Sequence, residues 1–77
     1  METVTHNIVR HIAVLSTGKN EWTKELNLVS WNNRPAVYDI RNWSPDHERT
    51  GKGITLTQRE MNIIYNVMEE VKNGKQD

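Results

Sequence analysis

Three tryptophans, two of them bracketing a short arginine-bearing segment, carry the chemistry of this 77-residue chain. The segment is "SWNNRPAVYDIRNW", Ser30 to Trp43. Trp22, Trp31 and Trp43 are interleaved in sequence with Lys19, Lys24, Arg34, Arg41 and Lys52. Flat aromatic faces alternating with cations suit one ligand class well. A single-stranded nucleic acid stacks its bases on aromatics and is tracked along its phosphates by Lys and Arg, each stacked base contributing about 1–3 kcal/mol. The bland alternatives are that Trp22 caps a sheet edge, that Trp31 and Trp43 serve the chain's own core, and that Arg41 pairs with Asp39 as a surface ion pair of under about 1 kcal/mol.

Other chemistry is thin. "TGKG" lacks the spacing and following Ser/Thr of a phosphate loop. Cysteine is absent, which removes thiolate zinc sites, disulfides and a cysteine nucleophile. His6 and His11 are five residues apart on a strand, hence on opposite faces, and cannot share a metal without a bulge. "PDHE", with Asp46, His47 and Glu48, reads as a solvated loop that at most binds a divalent ion weakly. Ser16, Ser30 and Ser44 have no activating context. The expectation is a non-catalytic protein with no metal and no cofactor.

The elements that must position the aromatic set are five. "THNIVRHIAVLS" reads as a first strand, with His6, Ile8, Arg10, Ile12 and Val14 on one face. "TGKNEW" is a loop. "TKELNLVSW" is a second strand, with Leu26 and Leu28 on the core face, Lys24 at its rim, and Glu25, Asn27, Val29 and Trp31 opposite. "NNRP" is a turn, Asn supplying the unusual backbone angles and Pro35 fixing φ. "AVYDIRNW" is a third strand. Its apolar side holds Ala36, Tyr38 and Ile40, and its charged and aromatic side Val37, Asp39, Arg41 and Trp43. "SPDHERTGKG" is a loop too charged to pack, and "GITL" a short fourth strand. "TQRE" is a capping box, Thr57 capping and Glu60 returning the bond. The helix it opens runs from about Gln58 to Asn73 and stops before Gly74. The terminal "GKQD" reads as a frayed tail.

Seventy-seven residues form one domain with a marginal core of its own. Without disulfides or metal, a second subunit is the remaining way to stabilise it. The helix agrees: Met61, Ile64, Met68 and Val71 form one stripe, and Ile63 and Val67 extend the apolar surface beyond it, wider than one small sheet covers; the alternative is that the helix buries this broad face in its own sheet. Met61, Ile64, Tyr65, Met68 and Val71 are therefore expected at a homodimer interface. Formal net charge is zero. Met1 to Arg59 carries eight Lys/Arg against six Asp/Glu, and the acidic surplus lies in the C-terminal remainder. No apolar run approaches the roughly 20 residues of a membrane span, and the polar N-terminus is unlike a signal peptide. The chain reads as cytoplasmic.

"YDIRNW", a polar loop and "GKGITLTQREMNIIYNVM" together resemble the single-stranded-DNA-binding core of the transcriptional coactivator positive cofactor four. With "IVRHIAVLS" and "KELNLVSWNNRP" the likeness extends over residues 6 to 72 and is greatest for the bacterial YdbC branch of that family. The resemblance implies an α+β fold of four curved antiparallel strands followed by one C-terminal helix (ββββα), assembled as a homodimer. It implies single-stranded DNA lying across the curved sheets with little sequence preference; RNA is a further ligand that the stacking surface itself would take. By position, Trp31 matches the aromatic before the turn, Arg34 the basic residue after it, Arg41 the arginine of "DIR", Trp43 the aromatic strand end and Lys52 the lysine before "GI". The eukaryotic coactivator carries more lysines at the turn and a long regulatory tail, so activator-dependent coactivation does not transfer. The rival readings are a docking module for a protein of the transcription machinery and a small hydrolase or metal protein around His47.

Overall fold

The computed structural model describes residues 5–74. Its order is β1 (His6–Thr17), a 3-10 turn (Lys19–Glu21), β2 (Thr23–Trp31), β3 (Val37–Trp43), β4 (Thr50–Leu56) and α1 (Gln58–Lys72). The strands form one antiparallel sheet in the order β1-β2-β3-β4, each paired with its neighbour in sequence. This is the expected ββββα arrangement. The tail at 75–77 lies outside the described residues.

Local sequence accounts for the joints. At the β2–β3 turn Arg34 N–H donates to Trp31 C=O at 2.9 Å. The two central residues, Asn32 and Asn33, have φ of 52° and 63°. This is the doubly left-handed turn whose twist matches a hairpin, and asparagine tolerates it. The capping box forms as read: Glu60 N–H donates to Thr57 Oγ1 at 3.0 Å, and Thr57 N–H to Glu60 Oε1 at 2.9 Å. The helix ends at Asn73, followed by Gly74 at φ 73°. β4 is longer than "GITL", because Thr50–Lys52 also pair with β3 across a register shift.

β1 departs most from simple alternation. Its register against β2 shifts three times, and Val9, Ile12 and Leu15 are the extra residues. Each bulge places two residues opposite one and increases local twist. The faces therefore change: His6, Ile8, His11 and Val14 stand opposite Trp31, Val29, Asn27 and Glu25. His6 and His11, expected on opposite faces, share one. Repeated bulging coils the sheet until its far corners meet: His6 Nε2, at the start of β1, lies 3.1 Å from the carbonyl of His47 beyond the end of β3.

That curling inverts the expected inside and outside. The buried residues of β2 and β3 are Glu25, Asn27, Val29, Asp39 and Trp43, on the concave side. Leu26, Leu28, Tyr38 and Ile40, expected as the core face, are only half-buried. The loop after β3 packs too, against expectation: Ser44 is buried and His47 half-buried.

Gly53 makes the tight curl of β3 on β4 possible. A Cβ there would overlap the Cβ of Arg41 and sit 2.5 Å from the Ile40 carbonyl oxygen. Because the obstacles are strand backbone and its first side-chain atom, no rotamer change relieves them. Gly53→Ala is expected to cost about 3 kcal/mol, read as a lower urea midpoint with an unchanged slope.

Of the described apolar side chains only Val29 and Trp43 are fully buried. The helix touches chiefly β3 and β4, and sparingly. The radius of gyration is 14.4 Å, against about 11.5 Å for a compact domain of this length.

Candidate nucleic-acid interface

The concave face gathers polar and aromatic groups from four elements. β2 contributes Glu25, Asn27 and Trp31, β3 contributes Asp39, Arg41 and Trp43, β1 contributes His6 and His11, and the β3–β4 loop contributes His47.

One end is aromatic. The Trp31 and Trp43 rings stack nearly parallel, 14° apart with centroids at 6.4 Å. His6 packs edge-on to both, and the Arg41 guanidinium lies 4.7 Å from the Trp31 ring centre. Trp43 is 0% exposed. Expected to offer a stacking surface, it has no open face, because the curled sheet encloses it between Trp31, His6 and His47. Its role is to hold Trp31 flat. Trp31 is half-buried and, with Arg41, Thr50 and Thr55, lines an open cleft. Both indole Nε1–H groups are buried without a partner.

Arg41 is fixed by Asp39. Its Nε donates to both carboxylate oxygens, at 2.7 and 2.9 Å, and Asp39 is completely buried. The pair is therefore not the surface ion pair that spacing alone suggested. Removing either partner strands a charge inside the protein, at a cost of about 3–5 kcal/mol. A guanidinium held this way stays over its indole, 4.7 Å from the ring centre, and is itself a planar group on which a base can stack.

The other end is built around Glu25. Its Oε2 accepts from Thr23 Oγ1 at 2.6 Å and from His47 Nε2 at 2.8 Å, and its Oε1 accepts from Asn27 Nδ2 at 3.1 Å. Burial pushes its carboxyl up, but the bonds from Thr23, Asn27 and His47 and the charge of His47 together hold it below its ordinary value of 4.5. A carboxyl depressed by folding stabilises the native state above its unfolded value, and that stability disappears as pH falls through the native one. Glu25→Gln is therefore expected to lose about 1.5–3 kcal/mol at pH 7, and most of the gap from wild type should close below the ordinary carboxylate range. Urea midpoints at pH 7 and pH 3 check this. Around Glu25 a cleft of about 580 Å³ is lined by Ile8, His11, Val14, Glu21, Thr23, Pro45 and His47.

The remaining expected contacts are scattered. Arg34 is exposed on the turn next to Trp31. Lys24 and Lys52 line a small cleft with Ile40 and Asn42, on the convex side of β2 and β3. Trp22 lies near Gly51 and Asn42 at that side's edge, under the Arg49 guanidinium at 5.8 Å. Lys19 is in the exposed β1–β2 connection. Trp31 and Arg41 thus share one surface with Arg34 at its rim, while Trp22, Lys24 and Lys52 face elsewhere. Sequence reasoning missed Thr50, Thr55 and the histidines. The bulges that bring His6 and His11 together leave no local sign, and the packing of His47 depends on a contact with Glu25, 22 residues away.

The site is thus a curled four-stranded sheet with tryptophan, arginine and histidine in its hollow, followed by one capped amphipathic helix. The chain belongs to the Transcriptional Coactivator p15 (PC4) family, whose sequence profile matches residues 19–66. It is also 42% identical over 66 residues to an uncharacterised protein of Treponema pallidum (strain Nichols), a match covering 86% of this chain and 78% of that protein. Membership places it, in general terms, among single-stranded-DNA-binding, coactivator-like proteins. Among the described residues no helix is long and apolar enough to cross a membrane.

Proposed function

We propose that this chain is a homodimeric, non-catalytic binder of single-stranded DNA, and of RNA as a further ligand, with little sequence preference. The observation that carries the reading is the Trp31–Arg41 platform. An indole backed by Trp43 and a guanidinium pinned by Asp39 form a preorganised, half-open stacking surface in a cleft lined otherwise by two threonines. Bases stack there by their faces, which all four share, so recognition is tolerant of sequence. A duplex keeps its bases stacked inside and offers none to the cleft. Arg34 contacts phosphate at the rim, and affinity falls with salt through counterion release.

Dimerisation is the second part of the proposal. On α1, Ile63, Tyr65 and Met68 are 55%, 62% and 55% exposed. A lone chain with two fully buried apolar side chains among the described residues and an uncovered apolar helix lacks the burial that folding needs. A second copy packed on helix and sheet supplies it, with Met61, Ile64, Tyr65, Met68 and Val71 in the contact. We place the dimer in the cytoplasm, at the nucleoid, acting in transcription, replication or repair.

Tryptophan fluorescence during titration with an oligo(dT) of about 20 nucleotides tests the binding reading. Strong quenching by the single strand and little by duplex of equal length is the expected result. No quenching and no binding at low salt would overturn it and favour a protein-docking role.

A further inference from the structure

The concave face has a charge problem. Its enclosed ionised groups are Glu25 and Asp39 against Arg41, so with neutral histidines the hollow carries one negative charge. A phosphate chain entering it meets repulsion.

The histidines are arranged to reverse this. Glu25 can only accept, so His47 Nε2–H donates to it and His47 Nδ1 is left free. Asn27 must spend its amide N–H on Glu25, so its Oδ1 accepts from His11 Nδ1–H at 2.7 Å, and His11 Nε2 is left free. The Glu25 carboxylate also lies 3.5 Å from His11 Nδ1. Each imidazole can therefore gain a proton on its free nitrogen without giving up a bond. Both side chains are about half exposed, 51% for His11 and 41% for His47, and both line the Glu25 cleft. His6 packs edge-on against both Trp31 and Trp43, with Nε2 at the His47 carbonyl, and is less available.

We propose that His11 and His47 are phosphate-contacting residues that take up protons as a single strand binds, extending its path along the concave face from Trp31 into the cleft around Glu25. This rests on the single-strand reading of that face. Two imidazolium groups convert the hollow from one negative charge to one positive. Histidine suits the task because its ordinary titration lies near neutral pH. The other charged groups around the pair are Glu21 at the exposed rim of the cleft, Asp46 and Glu48 beside His47, the Asp39–Arg41 pair on β3, and Arg49, which lies over Trp22. Asp46 is occupied by Ser44 Oγ and the Glu48 N–H. No helix residue lines the cleft.

The test is oligo(dT) affinity between pH 8 and pH 6, with calorimetry at pH 7 in two buffers of different ionisation enthalpy. Thymine does not titrate in this range, so any linked proton belongs to the protein. Affinity is expected to rise about tenfold on acidification, with net proton uptake on binding by the unmodified dimer. In the His11→Gln/His47→Gln chain, the rise should shrink to under twofold. The calorimetric arm stands even where that variant folds poorly. Binding without pH dependence or proton uptake would overturn this proposal and leave the single-strand reading intact. No binding of oligo(dT) at either pH would overturn both.

Discussion

Ile64→Asp is expected to abolish the proposed dimer and, with it, the folded chain. Ile64 lies on the apolar stripe of α1 and is 43% exposed in the single chain. Burying such a side chain against a partner stabilises by about 1.5–3 kcal/mol, and two-fold symmetry counts the site twice. An aspartate there leaves an unpaired carboxylate at each copy of the contact, which adds a cost of several kcal/mol. The single chain has little to fall back on, since Val29 and Trp43 are its only fully buried apolar side chains among the described residues. An obligate dimer has no stable folded monomer, so its melting temperature rises with protein concentration. Sedimentation equilibrium of the wild type should give twice the 9.0 kDa of one chain. The variant should give a single-chain mass together with loss of helix and strand signal. A folded, monomeric Ile64→Asp protein would mean that the outer face is covered in some other way.

Trp31→Ala is the second large effect. It removes the stacking platform while leaving the Asp39–Arg41 pair satisfied, which makes it a cleaner probe than any change at Arg41. A stacked base contributes about 1–3 kcal/mol, and each 1.4 kcal/mol is tenfold in affinity. A loss of about tenfold to a hundredfold in oligo(dT) affinity is expected, with the dimer retained. Trp22→Ala, on the other side of the sheet, should change affinity by less than twofold. Fluorescence anisotropy of a labelled oligo(dT) reads both.

These two results divide along the line between what the sequence revealed and what it concealed. The order of four strands and a helix was legible because its punctuation is chemical: "NN" at the left-handed turn, "TQRE" at the helix start, Gly74 at its end. The width of the helix's apolar stripe was legible for the same reason, since helical period survives any tertiary arrangement. The faces of the sheet were not. Alternation assigns Leu26 and Leu28 inward because they are the apolar set, yet the sheet closes around Glu25, Asn27 and Asp39. The polar residues form the hollow, and the apolar ones remain for the helix side and, on our proposal, for a second copy. Val9, Ile12 and Leu15 turned the period of β1 from two to three, and nothing in "IVRHIAVLS" marks them as bulges. The clustering of His11, Asn27, Glu25 and His47 is a product of that coiling. Trp43 was read as a candidate stacking residue because it shares a strand face with Asp39 and Arg41, a face that a flat sheet would leave open and a curled one encloses.

The central claim is that the ligand lies in the hollow of the sheet. Three indole N–H resonances, one per tryptophan, report on it directly. On titration with oligo(dT) in a nitrogen-15 spectrum, the Trp31 resonance should shift strongly, because its ring lines the open cleft, and the Trp43 resonance should follow through the ring stacked on it. The Trp22 resonance should barely move. A shift confined to Trp22, or no shift in any of the three while binding occurs, would contradict the account and put the strand on the outer face.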